Sequence, residues 1–179
     1  MKVGIHQPNF FPHLAFFEKM KMCDVFVFLT HCQFEKNGYQ NRFNIGDKWI
    51  TMSVSKKTDR IVNKIYTNPW DDWTKIKKRF DRDLSEFDQY IGSRLSLTNT
   101  QIIAFIAGRM NLGVKMLFDW KTKFTGTQRL VKICKKYGAT EYISGPSGRN
   151  YLDITLFEAA GIKVTFQDSS ASKPILEVI

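Results

Sequence analysis

The chain has 179 residues, 43% of them hydrophobic and 14% aromatic, which is enough for one domain with a sizeable core and excludes a disordered or low-complexity protein. Its longest apolar run, 25–29, is too short to cross a bilayer, so no membrane span is expected, and the absence of a signal-peptide pattern points to the cytoplasm. A formal net charge of +10 needs an anionic partner or a solvated face to explain it: nucleic acid, anionic membrane or phosphorylated small molecules all fit the sign.

In chain order, Val3, Gly4 and Ile5 read as a short buried strand that breaks at Gln7-Pro8-Asn9, where Pro8 removes a backbone donor. Pro12 suits a helix first turn, and Leu14, Phe17 and Met20 recur at helical spacing with Phe16 beside them. Residues 25–29 form a second strand. Phe43 to Ile45, Gly46-Asp47 and then residues 49–54 predict a hairpin. A helix is expected over 71–91, with Trp73, Ile76, Phe80, Leu84 and Phe87 as its apolar stripe. Thr98 or Asn99 can cap a helix carrying Ile102, Ile103, Ile106 and Met110, stopped by Gly113. A strand over 114–118, a helix through Leu130, Val131, Cys134 and Tyr137, a strand over 141–144, a helix over 152–160 and a last strand over 162–166 complete the series. Strands alternating with helices give an α/β fold: a single domain over 1–179 with a largely parallel sheet, flanking helices and an added antiparallel hairpin.

The basic excess concentrates in Lys75, Lys77, Lys78, Arg79 and Arg82 and in Lys132, Lys135 and Lys136. These read as solvated faces opposite apolar stripes, because the aromatics fall on the buried side rather than among the charges as a nucleic-acid groove would require. Cys23, Cys32 and Cys134 form no CxxC pair or other metal spacing, and an odd count argues against a disulfide framework, so reduced thiols are expected.

Three polar clusters carry the chemistry. His6, Gln7, Asn9 and His13 follow the first strand and lead into a helix, where they can face one small site near the positive end of the helix dipole. They loosely resemble the histidine loops of nucleotidylyltransferases, without the glycine between the histidines. Each histidine has the alternative of packing against aromatics. Gln33, Glu35, Lys36, Asn37, Tyr39, Gln40, Asn41 and Arg42 follow the second strand and supply amide and cationic donors suited to hydroxyls, carboxylates or phosphates, or else bond their own backbone. Residues 144–153, from Ser144 through Gly145, Ser147, Gly148 and Arg149 to Asp153, join a strand to a helix and offer an anion cradle or a plain capped turn. No Walker loop, dinucleotide fingerprint, HExxH or Gly-x-Ser-x-Gly elbow is present.

The runs Ile5-His6-Gln7-Pro8-Asn9 with Pro12, Phe16-Phe17-Glu18-Lys19, Asp24-Val25-Phe26-Val27, Gln33-Phe34-Glu35-Lys36-Asn37 and Gln40-Asn41-Arg42 resemble the WbqC-like protein family. So do Ile143-Ser144-Gly145, Tyr151-Leu152-Asp153 and Gly161-Ile162 with Val164, Phe166 and Gln167, all in the family's order. The chain departs from that pattern at Thr30-His31, where an acidic pair is often found, at His13, where an aromatic is usual, and in a shortened C-terminal tail, 168–179.

The resemblance implies a role with surface polysaccharides such as O-antigen and transfer of a glycyl, aminoacyl or related acyl group onto a sugar or nucleotide sugar. Such a transfer needs a base, assigned to His6 with His13 as second candidate, and polar donors, assigned to Gln7 and Asn9. Lys36, Arg42 and the Ser144 to Arg149 loop would grip phosphates, and Gln33, Gln40, Asn41 and Asp153 complete the candidate substrate-binding set. No cofactor is specified; magnesium would enter with a phosphorylated substrate. An aminoacyl-tRNA donor would also require a basic surface. Two alternatives stand beside this reading: a nucleotidylyltransferase with a histidine loop, and a non-catalytic basic module for RNA or a protein partner.

Overall fold

Successive side chains of a strand face opposite ways, and the first two strands sort their residues accordingly. Val3, Ile5, Val25 and Val27 pack on one face of the sheet, while Phe26 and Phe28 pack on the other. The computed structural model describes residues 1–57, 59–168 and 173–179. Its strands are β1 (Lys2–His6), β2 (Val25–Phe28), β3 (Arg42–Ile45), β4 (Lys48–Thr51), β5 (Lys115–Phe118), β6 (Glu141–Ser144) and β7 (Lys163–Phe166). Five of them form a parallel sheet in the order β5-β2-β1-β6-β7, with Val3 beside Val25 on one side and beside Tyr142 on the other. The α/β expectation holds. The hairpin β3-β4 is a separate two-stranded antiparallel sheet, turned at Gly46 with φ of +52°.

The helices are α1 (Leu14–Lys21), α2 (Pro69–Lys77), α3 (Leu95–Arg109), α4 (Gly126–Lys136) and α5 (Ile154–Glu158). One face of the sheet is covered by an aromatic-rich core that includes Phe17 and Met20 of α1, Trp73 of α2, Ile102 and Ile106 of α3 and Phe43 of the hairpin. The other face packs Leu130, Ile133 and Cys134 of α4 and Phe157 of α5 against the valines. Gly4 of β1 packs against the turn between α1 and β2, and a Cβ there would lie 2.6 Å from Cys23 Sγ and 2.9 Å from the Phe26 ring.

Several expected boundaries are corrected. The helix expected over 71–91 stops at Lys77, and a 3-10 turn follows at Ser85–Tyr90. The Asp83 carboxylate accepts from the Ser85 backbone N–H at 2.8 Å and from its hydroxyl at 2.7 Å, a local bond that competes with helix. The apolar stripe still faces inward, with Trp73, Ile76, Leu84 and Phe87 buried. α3 begins at Leu95, so Asn99 lies inside the helix and fully buried rather than at a cap, and it ends before Gly113 with Asn111 at φ of 52°. α5 is shorter than the expected 152–160. Pro12 precedes α1 and its N-cap His13 rather than joining the first turn.

Lys75, Lys78, Arg79, Lys132, Lys135 and Lys136 are exposed, as the solvated-face reading anticipated. Lys77 instead bonds both oxygens of Asp88 at 2.8 Å, and Lys136 lies 3.9 Å from the Trp120 ring centroid. Cys23, Cys32 and Cys134 are free thiols. Among the described residues, no helix is long and apolar enough to cross a membrane. Part of the C-terminal segment 168–179, residues 169–172, lies outside the described residues; Ile175 and Leu176 beyond it are buried in the aromatic core.

Candidate functional site

The chain lays β1, β2 and β5 to one side and β6 and β7 to the other, so the order of strands reverses between β1 and β6. In open α/β sheets the crevice at such a switch point, outside the carboxyl ends of the strands, is where ligands bind. A cleft of about 600 Å³ lies there, walled by residues that follow β1, by α1, by the segment around Tyr39 and by the turn after β6.

The segment after β1 is held by buried contacts on both sides. Phe10 and Phe11 turn inward, Phe11 stacks on Trp73 with ring centroids 5.5 Å apart, and Phe11 adopts a positive φ of 43° to do so. That conformation is strained for a residue with a Cβ, and the aromatic packing holds it. Asn99 reaches from α3 and donates to the carbonyls of Pro8 at 2.8 Å and Gln40 at 2.7 Å, while its own oxygen accepts from Tyr66 at 2.7 Å. One buried amide therefore clamps the first and second polar clusters together.

His6, Gln7, Asn9, His13 and Gln40 all line the cleft. His6 Nδ1 is 2.9 Å from the Gln7 carbonyl and can meet it only as a donor, which leaves the lone pair on Nε2. Its ring stands edge-on to Phe16, with centroids 5.0 Å apart. Burial, and then the nearby charge of Lys19, push His6 down to about 4, so it is a neutral imidazole at physiological pH. His13 Nε2 bonds Asn44 Oδ1 of the hairpin at 2.8 Å, which fixes the ring at the cleft wall beside Tyr39. Gln7 donates to Glu35 Oε1 at 3.1 Å and accepts from Gln40 Nε2. Gln40 Oε1 is buried without a hydrogen-bond partner among the described residues.

The remaining sequence candidates stand apart from the cleft lining. Gln33 donates to the Asp59 carbonyl at 2.8 Å, and Lys36 is exposed. Asn41 is buried and donates to the Met52 carbonyl at 2.7 Å. Arg42 lies 4.0 Å from the Trp49 ring centroid and donates to the carbonyls of Asn37 and Gly38. Ser144 is buried behind Gly145, and Arg149 stacks over Phe166 at 4.4 Å with Asp168 3.7 Å away. Asp153 caps α5 by accepting from the Thr155 backbone at 3.1 Å. The turn after β6 contributes Gly145, Pro146 and Ser147 to the wall instead.

Residues given no site role from the sequence also form the cleft, among them Lys19, Tyr142, Tyr151 and Gln167. Gln167 Nε2 donates to the Ala15 carbonyl at 2.9 Å, tying the end of β7 to α1. Lys19 is 4% exposed and donates to the Ile5 carbonyl at 2.8 Å. The signal was present: Lys19 falls within the arc of Phe16 and Met20 on α1, a buried face where a lysine is rare.

A second polar network sits at the ends of β2 and β5. Asp119 is buried and accepts from the Thr30 backbone at 2.8 Å, the Thr30 hydroxyl at 3.0 Å, the His31 backbone at 3.1 Å and the Arg129 guanidinium. Thr30-His31 thus supplies donors for a carboxylate that follows the neighbouring strand. Among the described residues no group of His, Cys, Asp and Glu is placed to hold a metal ion.

Fold and cleft together define an α/β protein with a polar and aromatic crevice at the switch point of its sheet. Residues 7–174 match the WbqC-like protein family, and the chain belongs to that family. It is 30% identical over 190 residues to Uncharacterized protein Rv1507c of Mycobacterium tuberculosis (strain ATCC 25618 / H37Rv), an alignment covering 93% of this chain and 82% of that protein. No solved structure matches it.

Proposed function

We propose that this chain is a transferase that places a glycyl, aminoacyl or related acyl group on a sugar or nucleotide sugar used in surface polysaccharide synthesis, with the switch-point cleft as its active site. The observation that carries this reading is His6: a neutral imidazole on the cleft wall, its Nδ1 proton committed to the Gln7 carbonyl. Such a group takes a proton through Nε2 without first having to lose one. The acceptor hydroxyl or amine gives its proton to Nε2, its oxygen or nitrogen forms the new bond to the acyl carbon, and the bond from that carbon to its carrier breaks. The imidazolium then returns the proton to the leaving group.

The rest of the wall suits a hydroxyl-rich acceptor. Gln7, Asn9 and Gln40 offer amides, and Tyr39, Tyr142 and Tyr151 offer aromatic faces with polar tips. His13, held by Asn44, is a positioning group in this account, and Gly145 with Ser147 closes the side toward β6. Lys36, Arg42 and Arg149 would act only on parts of a substrate that extend beyond the cleft.

The strand order with its histidine-bearing segment after β1 favours one second reading, nucleotidylyl transfer. Thermal shift separates the two. A ligand at a hundred times its Kd stabilises by about 2.7 kcal/mol. The transferase reading expects stabilisation by nucleotide amino sugars, and loss of turnover in His6→Ala with the substrate so identified. Stabilisation by a nucleoside triphosphate with magnesium alone would move the assignment to nucleotidylyl transfer, and undiminished turnover in His6→Ala would remove the base.

A further inference from the structure

The cleft lining includes a buried lysine that has no counter-ion among the described residues. Lys19 is buried, it lines the cleft, and its Nζ has one hydrogen-bond acceptor among the described residues, the Ile5 carbonyl at 2.8 Å. Its Nζ is 5.9 Å from the ring centroids of both Phe26 and Tyr142. No carboxylate forms a salt bridge with it among the described residues. The ionisable groups that bear on it are the thiols of Cys23 and Cys134, which burial pushes up to about 12 and so keeps neutral. His6 faces the same space as a neutral ring, and burial keeps the Tyr142 phenol protonated.

An ammonium has three donors, and one is used. Burying a charge without a partner is costly, and a charge-assisted hydrogen bond to an anion relieves that cost where water is excluded. Lys36, Arg42 and Arg149 do not line the cleft, so among the described lysines and arginines Lys19 alone can meet a negative group inside it.

We propose that Lys19 is the anchor for an oxyanion of the ligand, a carboxylate or a phosphate, which enters the cleft and lies against the buried ammonium. This rests on the reading of the cleft as the ligand site and adds to it the charge class of the group bound deepest. The same contact would leave His6 beside a neutralised pair instead of a bare cation, and its ring would gain basicity when the ligand is in place.

Inorganic phosphate and acetate, titrated separately into the whole chain at pH 7 with the His6 ring proton followed by NMR, test this directly. The expected result is a saturable shift with at least one of them, the responsive anion naming the source, and a Kd raised about tenfold or more in Lys19→Met. A second arm needs no substitution: at pH 10 the wild-type amine, lowered to about 8, is neutral, and the same titration should then give no saturable shift. No saturable shift with either anion at pH 7, or an unchanged Kd in Lys19→Met, overturns the proposal. Because no turnover is read, failure of the anion site is distinguishable from failure of His6 as a base, which His6→Ala tests alone.

Discussion

Lys19 donates to the carbonyl of Ile5 at 2.8 Å, and so ties α1 to the residue that precedes His6 on β1. The bond holds a buried ammonium near the imidazole, and its charge helps keep His6 unprotonated.

That arrangement carries a cost in stability. The Lys19 amine is lowered from an ordinary 10.5 to about 8, chiefly by burial. Above 10.5 it is neutral in both folded and unfolded chains; as pH falls toward 8 the unfolded chain takes up the proton first, and stability is lost. Below 8 the deficit is constant, at about 3 kcal/mol. Lys19→Met should therefore melt above the wild type at pH 7, and its advantage should shrink as pH rises from 8 to 10.5. Melting curves across that range check it; a less stable variant at pH 7 would mean that the ammonium stabilises the fold.

His6 predicts a separate pH dependence. Its folded value of about 4 lies below the usual 6.5, so the folded chain stays neutral at His6 where the unfolded chain takes a proton. The contribution to stability is complete above 6.5 and is lost as pH falls through 4. In the proposed transfer, the acid limb of kcat/KM should likewise fall near 4. A limb near 6.5 that persists in His13→Asn would contradict the assignment.

Asn99→Ala should lower stability by about 1–3 kcal/mol, because it strips the buried Pro8 carbonyl of its donor and leaves the Gln40 carbonyl and the Tyr66 hydroxyl only their 3.2 Å bond to each other. Since the same amide joins the two segments that carry Gln7 and Gln40, ligand affinity should fall with it. Denaturant melts and binding of the nucleotide sugar, measured on one preparation, check both effects.

Gly148→Ala should destabilise by about 1–3 kcal/mol, because the new Cβ would lie 2.1 Å from Ser144 Oγ, 3.0 Å from Leu152 Cδ1 and 3.3 Å from Phe166 Cε1. Adding Ser144→Ala removes the nearest clash, so the double variant should recover part of the loss. Strict additivity in that cycle would show that the turn relaxes without meeting Ser144.

The regular parts of this fold were legible because they obey local rules. The run Val25 to Phe28 is short and apolar, the segment Glu141–Ser144 brings Tyr142 and Ile143 between polar ends, and both lie in the parallel sheet. The helix expected over 71–91 failed because its apolar spacing continues past Lys77 while Asp83 and Ser85 bond each other instead of extending the helix. Asn99 read as a cap, since a polar residue before an apolar stripe usually is one; its partners, Pro8 and Gln40, are distant in sequence.

The site divided in the same way. His6, Gln7, Asn9 and His13 are close in sequence and follow one strand, so their common wall could be anticipated. Arg42 and Arg149 carried the right chemistry but are taken up by Trp49 and Phe166, contacts that no spacing announces. Tyr142 and Gln167 reach the cleft because β6 neighbours β1 and β7 neighbours β6, which only the strand order determines.

The central claim is that the cleft between the ends of β1 and β6 is where this protein works. Backbone amide shifts during titration with a nucleotide amino sugar test it most directly. The account predicts saturable changes centred on His6, Gln40 and Ser147, and the same changes weakened in Lys19→Met. Changes confined to the exposed basic faces of α2 and α4, around Lys75, Lys78, Lys132 and Lys135, would contradict it and place the binding surface elsewhere.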